Sequence, residues 1–327
     1  MENTNWKDKI YKCTRKISDM IPIVIVICFL LTILGQLVGL AIANRLPGES
    51  QQMEVFKMYI APIGVWIVIL LAILIPPGNR KMITTIGTKM KGNTPKWALL
   101  GLLIGFGMNT FCVVMSLLLK DIALSFNDFS ILWFLVLLFA VFVQSSSEEV
   151  SMRVYIYEKL RRRYKSPWVA VLGNALMFAC LHLANPGVTF MGILQCFLFG
   201  LLASILMWKY QSFCGACWLH TAWNFTQSIF WGLPNSGVVV PYSIFKLEAA
   251  SSGFFFDPSF GVEGSPAASL FMIAVTVLLY IYAVKKGLPE EDLWAEDEQR
   301  ILAEQRTLAE QAQAAAAEQT ETVQEGE

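Results

Sequence analysis

Residues 131–163 read ILWFLVLLFAVFVQSSSEEVSMRVYIYEKLRRR: an apolar run that ends in a polar patch, two adjacent carboxylates at Glu148 and Glu149, and then a basic cluster. A helix needs roughly 20 residues to cross about 30 Å of hydrocarbon, so both carboxylates fall at or inside the boundary of the apolar layer. A charged side chain at the bilayer centre costs about 2.5–3.5 kcal/mol on insertion scales, and an ionisable residue there calls for a functional reason or a partner. On a helix Glu149 and Arg153 are four apart and share a face, while Glu148 points about 100° away. One carboxylate is thereby paired and the other left over. A leftover carboxylate beside Gln144, Ser145, Ser146 and Ser147 has the makings of a general base; the plain alternative is that the pair marks the water interface where a span ends.

Working outward, the whole chain has the composition of a polytopic membrane protein. Of 327 residues, 55% are hydrophobic and only 15% charged, with a mean hydropathy of +0.53, far from the balance of a soluble domain. Apolar windows stand at 21–43, 58–75, 97–119, 131–143 with its polar tail, 167–183, 190–208, 213–233 and 266–283. The expected fold is an all-α bundle of about eight transmembrane helices. Three segments follow: 1–96 with a basic N-terminus and two spans, 97–284 as the core, and 285–327 as an acidic tail rich in Ala, Glu and Gln. The tail carries a seven-residue spacing of Trp294, Ile301 and Leu308 and reads as a solvated or weakly coiled helix that frays at its end.

The tail also hides a charge asymmetry behind a formal net charge of zero. From Glu290 on it holds 12 of the 25 acidic residues, which leaves 23 basic against 13 acidic in the remainder. Those basic residues sit in alternate connections: Lys7, Lys9, Lys12, Arg15 and Lys16, then Arg80, Lys81, Lys89, Lys91 and Lys96, then Arg153, Lys159, Arg161, Arg162, Arg163 and Lys165, while the intervening connections carry only Arg45, Lys57, Lys120 and Lys246. The positive-inside rule predicts a multi-pass protein of the cell membrane with both termini cytoplasmic and the basic face against anionic lipid; nothing points to nucleic acid. The first span begins after a charged segment and reads as an anchor that stays. Seven cysteines lie mostly in apolar windows as small hydrophobes, and the lone C-x-x-C at Cys214 and Cys217 is read as packing.

Only two histidines occur, and both fall in spans. His182 follows Phe178 by four and His220 precedes Asn224 by four, so each pair shares a helix face. A single intramembrane histidine is more often a satisfied interhelical hydrogen bond than a catalyst. The ordered set Glu148-Glu149-x-x-x-Arg153, Phe178-x-x-x-His182 and His220-x-x-x-Asn224, on successive segments, resembles the three motifs of the CAAX-protease and bacteriocin-processing (Abi) family of intramembrane endopeptidases, to which the type II CAAX prenyl proteases belong. The likeness covers roughly 131–233.

What the resemblance implies is a peptidase in which Glu148 activates water held with His182, while His220 and Asn224 face the oxyanion. Glu149 and Arg153 support the base and Phe178 packs beside His182. The substrate would be a peptide or protein, lipid-modified or not, a bacteriocin leader or other small peptide among them. A metal is left open: His182, His220 and Glu148 could furnish a zinc site, yet the H-E-x-x-H spacing is absent, and the glutamate chemistry is preferred. Two other classes stay in view, a transporter with a proton or ion relay and an idle scaffold or immunity protein of the same fold.

Counting 1.5 Å per residue leaves a mismatch of depth. His220 stands about 10 Å and His182 about 22 Å above the starts of their helices, whereas Glu148 lies near the inner end of its apolar run. Either the fifth helix starts below the surface or the fourth continues through RVYIYEKL. Asn185, Pro186 and Gly187 predict a break after His182 that lines a wet chamber, expected to open to the cytoplasm.

Overall fold

A computed structural model describes residues 17–288 and 290–324; the basic residues expected at 7–16 lie outside them. Two compact units are present, Met1–Glu291 and Asp292–Glu327. The second is α11, Ala295–Gln324. The first is the bundle: α1 (Ile21–Ala43), α2 (Gln51–Ile60), α3 (Ile63–Leu74), a 3-10 turn at Pro77–Thr85, α4 (Pro95–Leu118), β1 (Ile122–Phe126), α5 (Ile131–Glu149), a π-helical segment Val150–Ile156, α6 (Tyr157–Arg163), α7 (Pro167–Leu181), α8 (Phe190–Tyr210), α9 (Phe213–Asn224), a second π segment Phe225–Phe230, β2 (Phe245–Ala250), a 3-10 turn Val262–Gly264 and α10 (Pro266–Lys285).

Among the described residues, six helical stretches are long and apolar enough to cross a membrane: α1, α2 with α3, α4, α5 through α6, α8 and α10. Of the eight expected spans, the other two correspond to α7, which is shorter, and to α9, which continues into its π segment. The bundle is built inside out relative to a soluble protein. Leu30, Leu37, Leu103, Leu118, Leu135 and Leu278 are exposed, while Asn109, Ser116, Asn174, Ser204, Thr221 and Gln227 are buried. Lipid is as apolar as leucine, so helices associate through small residues and interhelical hydrogen bonds. Asn109 Nδ2 donates to Gln227 Oε1 at 2.8 Å, tying α4 to the second π segment. Along the same pair of helices a Cβ on Gly101 would collide with the Gly215 carbonyl, and one on Gly105 with that of Leu219. Close approach at these two glycines sets the height at which α9 carries His220.

The depth mismatch is resolved by the fourth span. Helical structure runs unbroken from Ile131 to Arg163, 33 residues, so the chain descends 15 residues, about 22 Å, below Glu148 before α7 starts back up. His182 then meets Glu148 at the top of α7. The helix changes register inside the motif: seven residues from Val150, Arg153 among them, adopt the π form, which is rare and concentrated at functional sites. A second π segment follows Asn224 directly. An element not expected from the sequence is the antiparallel pair β1–β2, joining residues more than 100 positions apart.

Candidate active site

Four helices bring the singled-out residues to one chamber of about 220 Å³, lined among others by Glu148, Phe178, His182, Phe199, His220 and Asn224. The two adjacent carboxylates have different surroundings. Glu149 is fully buried; its Oε2 pairs with Arg153 Nε at 2.9 Å, and its Oε1 accepts from His220 Nδ1 at 2.8 Å. Glu148 has a side chain 33% exposed, and its Oε2 lies 3.8 Å from His220 Nε2. Gln144 Nε2 donates to Glu148 Oε1 at 2.6 Å, which fixes the carboxylate while leaving its second oxygen toward the chamber.

Burying the Glu149–Arg153 pair is expensive unless further hydrogen bonds satisfy both groups. Arg153 Nη1 donates to Asn174 Oδ1 at 3.1 Å, and Asn174 in turn donates to the Met152 carbonyl. The guanidinium also lies 5.1 Å from the Phe178 ring centroid and 5.8 Å from that of Phe199, within cation–π range. Phe178 is the hub of the histidines: its ring centroid is 4.8 Å from His182 and 5.8 Å from His220, and its carbonyl accepts from His182 Nδ1 at 2.8 Å. That bond leaves Nε2 as the acceptor nitrogen of His182. Asn224 is buried, with Nδ2 donating to Gln144 Oε1 at 3.1 Å and Ser145 Oγ at 3.2 Å.

All seven residues expected in the site therefore gather around the chamber or directly behind its wall. Glu149 pairs with Arg153 as expected and in addition bonds His220. The expected zinc set gathers less well. Among the described residues no group of three or more His, Cys, Asp or Glu is placed to hold a metal ion. His182 and His220 each donate Nδ1–H to a protein acceptor, the Phe178 carbonyl and Glu149 Oε1, which leaves Nε2 of each ring as the nitrogen that would ligate a metal. Asn185, Asn235, Ser236, Val238 and Glu263 on the chamber wall come from the connections 182–189 and 231–265, at the ends of the helices away from the basic loops. Cys214 and Cys217 are free thiols, with Cys214 Sγ against the Gly92 and Thr94 carbonyls.

Two further residues belong to the site. Asn174 sits eight positions before His182, on the same face as Phe178, and that spacing could have flagged it. Glu263 lines the chamber and is buried; its Oε1 accepts from Trp223 Nε1 at 3.0 Å, and its Oε2 from Ser236 N at 2.6 Å and Ser236 Oγ at 2.7 Å. Burial pushes the Glu263 carboxyl above its ordinary value, opposed by those hydrogen bonds and the nearby His182. Its one signal in the sequence is that no other charged residue occurs between Asp257 and Lys285.

Comparison with family models supplies an independent finding. Residues 130–226 match the model of type II CAAX prenyl endopeptidases, Rce1-like. Neither the curated proteins nor the solved structures compared with the chain give a match. The match runs from the cap of α5 into the second π segment, and so takes in the paired carboxylates, both histidines and Asn224. Over residues 130–226, under a third of its length, this multi-pass membrane protein is thus similar to the type II CAAX prenyl endopeptidases.

Proposed function

We propose that the chain is an intramembrane endopeptidase that hydrolyses a peptide bond with water activated by Glu148. The observation that carries this is the split between neighbours: Glu149 is buried and spent on Arg153 and His220, whereas Glu148 is one-third exposed and keeps an oxygen on the chamber. In the reaction Glu148 takes a proton from water, whose oxygen attacks the scissile carbonyl; His182 Nε2 accepts the water's second hydrogen bond. The tetrahedral oxyanion is met by His220 Nε2–H. That proton makes the ring cationic, and Glu149, already bonded to Nδ1, balances it. Asn224 reaches the oxyanion by exchanging its Gln144 contact. Glu148 then returns the proton to the leaving amine as the carbon–nitrogen bond breaks. Positioned acid–base groups are worth roughly 10²–10⁴ in rate and an oxyanion donor about 10²–10³. The substrate is a peptide or a membrane-associated protein, and no step is routed through a metal.

The test is cleavage of a mixed set of tethered and lipidated peptides by the purified chain in detergent. Loss of all cleavage in Glu148→Gln, with cleavage retained in the presence of a zinc chelator, supports the scheme. Wild-type cleavage by that variant refutes it.

A further inference from the structure

The connections of the bundle fall into two groups that touch only within themselves in the contacts described. In one, Gly92 N donates to Gln211 O and Ser212 Oγ to Gly92 O. This end holds Arg80, Lys81, Lys89 and Lys91, and the helix ends next to it hold Arg161, Arg162, Arg163 and Lys209. In the other, β1 pairs with β2, Asn127 Nδ2 donates to Ser243 O at 2.9 Å, and Asn185 Nδ2 donates to Ser236 O at 3.1 Å. Its basic residues, helix ends included, are Arg45, Lys57, Lys120 and Lys246. Every chamber residue that comes from a connection comes from this second group.

The floor on the basic side is closed. Glu149, Arg153, Asn174 and Ser204 are each 0% exposed, and Ser204 Oγ reaches Asn174 Oδ1 at 3.4 Å. Depth along α8 agrees: Phe199, whose ring centroid is 4.7 Å from His220, stands about 14 Å from the Phe190 end and about 17 Å from the Tyr210 end at 1.5 Å per residue. A site near mid-membrane, sealed toward the basic loops and walled by the opposite loops, has its path on the opposite side. The chamber's charge is equally one-sided. Glu148 and Glu263 line it, and no Lys or Arg does. The cationic His220 ring is already balanced by Glu149, so a chain end with a free carboxylate would enter against two carboxylates with no unpaired cation to receive it.

Resting on the endopeptidase reading for its chemistry, and on the positive-inside rule for its sidedness, we propose that the chamber is entered from the non-cytoplasmic face and takes an internal, neutral or basic peptide segment presented there. The substrate class is accordingly an exported or membrane-tethered polypeptide, cut away from its carboxyl terminus.

Sidedness is read without any proteolysis. Full-length chains carrying Val239→Cys, 67% exposed beside the chamber-lining Val238, or Lys89→Cys on the basic side are made in cells, each with Cys13→Ser. They are then treated with a membrane-impermeant maleimide before and after permeabilisation, with the same Cys13→Ser chain as baseline. Labelling of Val239→Cys on intact cells, with Lys89→Cys reacting only after permeabilisation, is the expected result. Protection of Val239→Cys until permeabilisation overturns the proposal, whether or not the chain is a protease. The charge preference is read on purified protein with matched peptides whose carboxyl end, free or amidated, lies within three residues of the scissile bond. At least tenfold faster cleavage of the amidated peptide is expected, narrowed in Glu263→Gln; equal rates overturn that half. Absence of cleavage of every peptide by wild-type protein counts against the endopeptidase reading and leaves the labelling result standing.

Discussion

Two buried charge clusters on the fourth span, one at its middle and one at its basic end, teach what separates structure from chemistry in this molecule. At the basic end Asp19 is fully buried and takes Arg162 Nε at 2.6 Å, Arg162 Nη2 at 2.5 Å and Lys159 Nζ at 3.3 Å, with Asn79 Oδ1 accepting from the same guanidinium at 3.1 Å. Lys159 and Arg162 there share Asp19 as counter-charge on another segment, and none of the three lines the chamber. Around the chamber the balance is deliberately incomplete: Arg153 is consumed by Glu149, and Glu148 faces His220 across 3.8 Å with a third of its side chain accessible. A saturated cluster locks helices together; an unsaturated one beside a cavity has a free lone pair for a substrate.

Substitutions sharpen that contrast. The largest effect is expected at the unsaturated cluster, where Glu148→Gln should lower turnover by about 10²–10⁴-fold without moving the melting temperature, because Gln144 is its one hydrogen-bond partner among the described residues. Asn224→Ala, measured in the same cleavage assay, should cost about 10²-fold in kcat as an oxyanion donor. Glu149→Gln bridges the two regimes: it strips the buried Arg153 of its counter-charge and His220 of its anionic acceptor. It should lower stability by about 3–5 kcal/mol and turnover together, read by thermal unfolding and cleavage in parallel. At the saturated end Asp19→Asn should cost a similar amount of stability, about 3–5 kcal/mol, while the folded fraction keeps its wild-type kcat. The smallest effect is expected for Cys214→Ser, which leaves both stability and cleavage near wild type; a large loss there would mean that the C-x-x-C does more than pack.

Much of this contrast was legible in the sequence because it is written in local spacings. The four-residue steps Glu149 to Arg153, Phe178 to His182 and His220 to Asn224 each declare one helix face, and hydropathy alone delimits the spans to within a few residues. The rest was hidden for identifiable reasons. The apolar run ends at Val143, so the fourth span looked short; helical structure beyond it carries charged residues and is buried almost throughout against neighbouring segments, and it is invisible to a hydropathy window. The pairing of Ile122–Phe126 with Phe245–Ala250 joins residues with no local signal. Glu263 reaches the chamber through a connection that has neither helical nor strand period, held by Ser236 and Trp223. Long-range placement of this kind arises from packing, and no spacing within either segment announces it.

The claim on which the rest stands is that two neighbouring glutamates have divided the work. Purified wild-type protein, Glu148→Gln and Glu149→Gln, assayed side by side for peptide cleavage and for thermal unfolding in the same detergent, test it most directly. The account predicts that Glu148→Gln melts with the wild type and does not cleave, while Glu149→Gln melts earlier. A Glu148→Gln protein that cleaves at the wild-type rate, or one that is destabilised as much as Glu149→Gln, would contradict it.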